Sequence, residues 1–209
     1  RLAEAFADVA FLGEEGEYAD ALEHENVFIV DPIDGTTNFV HGHPYFAISV
    51  ALRRDGAPYA GVVHCPCFGQ TYHAVAGDGA YLDGVPVEVS VTTRLIDALG
   101  GTGFAAVRQR KKPDNIPIFT EAIYQLRGVR RTGSAAIDLC YVADGKLDLF
   151  WELNLQPWDV AAGALIVQEA GGQVTDFSGG DDYESCRQIV ASNGRCHEAF
   201  LALLDGVHA

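Results

Sequence analysis

Methionine is absent from the 209 residues, and the chain opens on Arg1. A complete translation product carries an initiator, so a missing N-terminal segment is expected. Basic residues are scarce: 14 Lys and Arg stand against 29 Asp and Glu, for a net charge of -15. A nucleic-acid binder needs a basic stripe to displace counterions from phosphates, so no nucleic-acid partner is expected. Long apolar runs are also lacking. None approaches the roughly 20 residues of a membrane span, and no leader is expected from the opening residues. Cysteine is sparse and odd in number, five in all, without the spacing of a disulfide scaffold. That usage fits reduced thiols and a cytoplasmic location. His64-Cys65-Pro66-Cys67 is too tightly spaced for a zinc site and has no second ligand pair, so buried thiols are the simpler reading.

What is present is ordinary for a globular protein: 48% hydrophobic and 21% charged residues. The length suffices for one large domain or two packed lobes. An acidic protein that handles an anionic substrate needs cations at its site, which is compatible with a metal enzyme.

Periodicity divides the chain. Leu2–Val9 reads as the end of a helix, broken by Gly13-Glu14-Glu15-Gly16. Val27–Val30 reads as a buried strand. Phe46–Leu52, Tyr59–His64, Thr71–Val75 and Val85–Val89 read as further strands. Arg54-Asp55-Gly56, Phe68-Gly69, Gly77-Asp78-Gly79 and Asp83-Gly84 are turn signals at hairpin spacing, predicting an antiparallel meander. Beyond it, Ile116–Leu126, Ala135–Ala143, Val160–Ala170 and His197–Leu204 have helical spacing. They alternate with strands at Leu147–Trp151, Gln173–Phe177 and Ile189–Ala191. Residues 1–112 are therefore expected to form a mostly antiparallel lobe and 113–209 an α/β lobe of one functional unit.

Three acidic signals stand out. In "DPIDGTTN", Asp31 and Asp34 flank a proline that predicts a sharp exit from the strand, and an i, i+3 pair there can aim at one hard cation. Taken alone, the pair also reads as an Asx-turn with solvated acids. Asp159 is expected at the N-cap of the helix that follows Gln156-Pro157-Trp158. The vicinal pair Glu14-Glu15 reads alone as a solvated loop. Helix starts after Gly35-Thr36-Thr37, after Gly133-Ser134 and at Asp159 offer free N–H groups that suit an anion. Together these signals suggest phosphate held beside a divalent metal.

The segments "GEE", "DPIDGTTNFVHG", "RRTGSAAIDLCYVADG" and "WELNLQPWDVAAGALIVQEAGG" resemble, in order from Gly13 to the C-terminus, the inositol monophosphatase family of magnesium-dependent, lithium-sensitive phosphatases. The resemblance implies an α/β (α+β layered) sandwich of alternating helices and sheets, the sugar-phosphatase type, with N-terminal helices and a hairpin ahead of Gly13. It implies Mg²⁺ held by Glu14, Asp31, the Ile33 carbonyl, Asp34 and Asp159, with Asp31 bridging two ions. Glu14, Thr36 and Asp34 would serve the reaction, Glu14 and the Thr36 hydroxyl by orienting the attacking water. In the family the hairpin carries an acid that accepts a hydrogen bond from the threonine matching Thr36. Phosphate would lie on the Gly35 and Thr36 N–H groups beside Asp34 and Asp159. The organic half would lie on Gly133, Ser134, Ala135 and Glu152, with Arg130 and Arg131 nearby.

The implied substrate is a small phosphorylated polyol, inositol 1-phosphate ahead of histidinol phosphate, fructose 1,6-bisphosphate or a nucleotide 3'-phosphate. A homodimer is expected. The competing class is a non-catalytic member acting through a protein partner, as some bacterial relatives associate with transcription machinery. His41-Gly42-His43 reads as a loop rather than a ligand pair. Arg108–Lys112 reads as a solvated basic patch, with guidance of an anionic substrate the minority reading.

Overall fold

The computed structural model describes residues 6, 8–14, 21 and 24–208. The helix expected over Leu2–Val9 lies largely outside these residues, as do Glu15 and Gly16. The alternating segments of the first half form one sheet in sequence order: β1 (Ala10–Gly13), β2 (Val27–Asp34), β3 (Ala47–Arg54), β4 (Ala57–Cys65), β5 (Gln70–Val75), β6 (Gly79–Leu82) and β7 (Val85–Pro86). β1 runs parallel to β2 and every later pairing is antiparallel. Asp55 and Gly56, at φ 53° and 75°, make the tight turn between β3 and β4, the positive-φ pair that matches strand twist. The sequence reading places no strand at β1 or β6, and two further differences matter. The strand expected to stop at Val30 continues to Asp34. The one expected over Val85–Val89 shortens to two residues, because the Val89 N–H turns instead to the Ala170 carbonyl at 3.1 Å.

A short helix, α1 (Thr36–Val40), follows β2 directly. The second sheet has the order β11-β12-β10-β8-β9, with β8 at Leu99–Thr102, β9 at Gly128–Arg130, β10 at Leu149–Leu153, β11 at Gln173–Thr175 and β12 at Gln188–Ser192. β8 lies upstream of residue 113, where the second lobe is expected to begin. The remaining helices are α2 (Ala105–Arg108), α3 (Ile116–Gln125), α4 (Ala135–Ala143), α5 (Pro157–Glu169), α6 (Tyr183–Cys186) and α7 (His197–His208). α4 and α5 are packed between the two sheets, and α3 and α7 cover the far side of the second. Sheet, helices, sheet and helices thus alternate in layers, as expected.

α5 is buried without a break from Val160 to Val167, because both of its sides meet apolar layers. Gly163 lets α4 approach: a Cβ there would stand 2.6 Å from Leu139 Cδ1. In the second core Trp151 packs on Phe200, ring centroids 5.0 Å apart. Its Nε1 donates to Asn115 Oδ1 at 2.8 Å, and Asn115 Nδ2 donates to Thr102 Oγ1 and the Gly103 carbonyl, each at 2.6 Å. This satisfied buried network fixes the end of β8 against β10, where the functional cleft begins. Among the described residues no helix is long and apolar enough to cross a membrane.

Candidate active site

Pro32 has no N–H to give to the β2–β3 ladder, so the pairing cannot run straight through it. Asp31 opposes Ser49 and Asp34 opposes Ala47, with a register shift between them. This bulge, rather than a turn leaving the strand, re-aims the two carboxylates, as bulges commonly do at functional sites. Asp31 Oδ1 accepts the Ile33 N–H at 2.9 Å. Asp34 Oδ2 accepts the Ser134 hydroxyl at 2.5 Å and the Ala136 N–H at 2.8 Å at the start of α4. Ser134 is the N-cap of α4, its hydroxyl oxygen accepting from the Ile137 N–H at 3.3 Å.

Asp159 is not the N-cap of α5. Gln156 holds that position, because Pro157 takes the first helical site that tolerates a missing N–H. Asp159 sits in the first turn, and its Oδ2 accepts the Gln156 N–H at 2.7 Å. Each aspartate is therefore tethered through one oxygen.

One oxygen from each of Asp31, Asp34 and Asp159 lies within 4.8 Å of the others. Burial pushes Asp31 up to about 8, and the Asp34 charge adds to it. Burial likewise lifts Asp34 to about 6, opposed by the Ser134 and Ala136 hydrogen bonds. Asp159 rises to about 7 through burial and then Asp34. Three crowded, desolvated carboxylates cost free energy when ionised together, and a divalent cation removes that cost. An all-oxygen donor set is what a hard cation such as Mg²⁺ takes, so the residues fit a metal of that class.

A pH dependence follows. The folded chain binds these protons more tightly than the unfolded chain, whose aspartates titrate near 4. Without metal, stability is then highest at low pH and falls as pH rises from about 4 to about 8. Melting curves in EDTA should show a falling Tm from about pH 5 to about pH 8. The gain from added Mg²⁺ should grow over the same span, since metal displaces the protons. A gain independent of pH would contradict the shared-proton description of the cluster.

The other expected ligands are placed less tightly. Glu14 is exposed after β1, its N–H donating to the Val30 carbonyl at 3.3 Å, and it lines the same cleft without joining the three-aspartate cluster. The Ile33 carbonyl accepts the Thr36 hydroxyl at 3.0 Å. Gly35, at φ 87°, is the N-cap of α1. Asn38, which the sequence reading leaves without a role, is buried and donates to the Tyr45 carbonyl at 2.6 Å and the Thr132 carbonyl at 2.8 Å. It staples α1 to the loop ahead of Gly133.

The cleft beside the cluster measures about 700 Å³. Gly133, Ser134, Ala135 and Glu152 all line it, together with Arg131. Arg130 is exposed and its guanidinium returns to the Val129 carbonyl, outside the cleft lining. Glu152 is 7% exposed, and Oε1 accepts the Ala105 N–H at 3.2 Å. Burial pushes it to about 8 against that hydrogen bond, with Asp159 and Asp34 adding to the rise and Arg131 opposing it.

The basic patch divides. Arg108 Nη1 reaches the Thr37 hydroxyl at 3.4 Å and lines the cleft, whereas Lys111 bonds Asn154 and Lys112 pairs with Asp114. His41 caps the end of α1 and His43 follows in the exposed loop. Asp138 also lines the cleft and was missed, because an acid in the first turn of a helix is commonplace. Its i, i+4 spacing from Ser134, which puts both on one helical face, is the signal that could have found it.

The whole chain, residues 1–209, matches the family described as the inositol monophosphatase family. A Nus factor SuhB of Pseudomonas aeruginosa is 42% identical over 208 residues, 98% of this chain and 77% of its own length. An inositol-1-monophosphatase of Mesorhizobium japonicum is 39% identical over 200 residues, 96% of this chain and 75% of its own. The solved inositol monophosphatase of Anabaena superposes with a TM-score of 0.94 at 36% identity, covering 98% of this chain and 81% of that one.

Proposed function

The chain belongs to the inositol monophosphatase family and is a phosphoric monoester hydrolase; on that footing we propose that it hydrolyses inositol 1-phosphate or a close polyol phosphate with Mg²⁺. The observation that carries this reading is the convergence of Asp31, Asp34 and Asp159 beside a cleft that also holds Glu152. Asp31, Asp34 and Asp159, with Glu14 and the Ile33 carbonyl, would hold the metal. When bound, Mg²⁺ lowers the pKa of water and neutralises charge on the phosphate and the leaving oxygen.

The chain's own groups supply orientation. The first amides of α1 have no partner within the helix, so the Gly35 and Thr36 N–H groups can hold phosphate oxygens. The Thr36 hydroxyl gives its proton to the Ile33 carbonyl, which leaves its lone pairs to accept a hydrogen from the attacking water. Glu14 offers a second acceptor to that water. Asp34, tied to Ser134 and Ala136, keeps the metal motif and the start of α4 in fixed relation. The substrate's organic half would then rest on Gly133, Ser134 and Ala135 and give hydroxyl hydrogens to Glu152.

Phosphate release should be measured from inositol 1-phosphate, histidinol phosphate, fructose 1,6-bisphosphate and a nucleotide 3'-phosphate, with Mg²⁺, EDTA and Li⁺. Turnover on inositol 1-phosphate that EDTA abolishes is the expected result. A different preferred member of the panel would replace the substrate but leave the chemistry. Relatives bearing the name Nus factor SuhB favour a second reading, a role through a protein partner. Folded protein with no turnover on any substrate would favour it over the first. The homodimer is a separate proposal, tested by sedimentation.

A further inference from the structure

Asp138 is 2% exposed; its carboxyl is hydrogen-bonded by the Thr132 side chain, but its Oδ1 has no hydrogen-bond partner. A buried carboxyl oxygen left unmatched costs free energy, and native chains rarely keep one without a use. This one lines the active-site cleft alongside Glu152. Two glycines on one face of β8 and its extension flank the pair. A Cβ at Gly101 would lie 3.4 Å from the Asp138 carboxyl carbon and 2.8 Å from Leu147 Cδ1. A Cβ at Gly103 would overlap the Glu152 carboxyl outright. Residues two apart on a strand share a face. Thr102, between them, points the other way and donates to the Trp151 carbonyl at 2.7 Å. Gly103 thus forgoes a side chain where the Glu152 carboxyl stands, and Gly101 leaves the Asp138 carboxyl in ordinary contact with the strand.

We propose that Asp138 is a second specificity residue, accepting a hydrogen bond from a hydroxyl of the substrate's organic half other than the hydroxyl read by Glu152. The inference rests on the phosphatase reading above. Neither acid belongs to the three-carboxylate grouping that could hold a metal, so a cation is not the ligand indicated here. A neutral hydroxyl donor suits a site at 2% exposure: it satisfies the orphan oxygen and brings no charge to desolvate. Two carboxyl acceptors lining one cleft match two hydroxyls of the same molecule, which restricts the substrate to a diol or larger polyol. A phosphate ester of a simple alcohol or phenol would leave the Asp138 Oδ1 unmatched.

The test compares wild type, Asp138→Asn and Asp138→Ala on inositol 1-phosphate and on phenyl phosphate, which carries no hydroxyl. With Asp138→Ala, KM for inositol 1-phosphate should rise about tenfold with kcat nearly kept, the pattern of lost uniform binding. KM for phenyl phosphate should not move, and Asp138→Asn, which keeps an acceptor, should fall between. Melting temperatures should hold or rise, since a buried acid with an unmatched oxygen is removed. Equal losses on both substrates, or no change on either, would overturn the inference. Calorimetric titration of inositol 1-phosphate into each Mg²⁺-loaded protein separates the two readings. Wild type that binds but does not hydrolyse refutes the phosphatase reading, and the variants' affinities still decide Asp138. Wild type that neither binds nor hydrolyses overturns both.

Discussion

Asp159→Asn is expected to lower kcat/KM by about a thousandfold, equivalent to about 4 kcal/mol of transition-state stabilisation. Asparagine keeps the shape and an oxygen that can accept the Gln156 N–H, so the start of α5 retains its tether. What disappears is one of three anionic donors lying within 4.8 Å of one another. Two aspartates then face a divalent ion with less charge and one fewer hard ligand. The fold should not suffer. In EDTA the variant should melt at or above the wild-type temperature, because a charge that repels Asp34 and Asp31 has gone. In Mg²⁺ the order should reverse. Phosphate-release kinetics and paired melts check both halves, and activity within tenfold of wild type would remove Asp159 from the metal set.

Gly35→Ala should be the more damaging change to structure. The residue stands at φ 87°, where an L side chain costs about 1 kcal/mol or more. The added methyl would lie 2.8 Å from the Tyr45 carbonyl oxygen and 3.1 Å from that of Gly133. Both neighbours are backbone, and neither can swing aside. Relief therefore moves α1 relative to the loop before α4, which Asn38 otherwise holds in place. Stability should fall by about 2–4 kcal/mol. Turnover should fall about a hundredfold even well below the melting point, since small displacements of positioned groups are costly. Thermal melts and kcat at low temperature distinguish the two effects, and near-wild-type turnover would show that this turn does not position the substrate.

Much of the site was legible because its chemistry needs unusual residues in sequence-local groups. Two aspartates around a proline and an aspartate before a glycine- and alanine-rich helix have few ordinary purposes in combination, and the three carboxylates do converge. The central strands of the first sheet, β3 to β5, were legible for the same local reason, apolar segments closed by turn residues, whereas β1 and the short β6 were not. What escaped depends on contacts that no local pattern records. β8 has the sequence Leu-Gly-Gly-Thr, which looks like a turn. Its glycines are there because Leu126, Trp151 and Leu147 fill their side-chain space. Asp159 looked like a helix cap because caps are often aspartate, whereas Pro157 shifts the start of α5 so that Gln156 caps it. The expected end of β2 at Val30 failed because Pro32 was read as a terminator, although a bulge accommodates it within the strand.

The aspartates of β2 and the aspartate of α5 are remote in sequence, and α5 reaches its place only when clasped between the first sheet and α4. A cation can bridge them only once that clasp has closed. A divalent cation bound there is therefore expected to have little to hold in the folding transition state and much to hold in the native state. It should leave the refolding rate nearly unchanged and slow unfolding instead. Its expected contribution is then a matter of lifetime, set by how seldom the closed arrangement opens, and unfolding rates with and without the cation would check it.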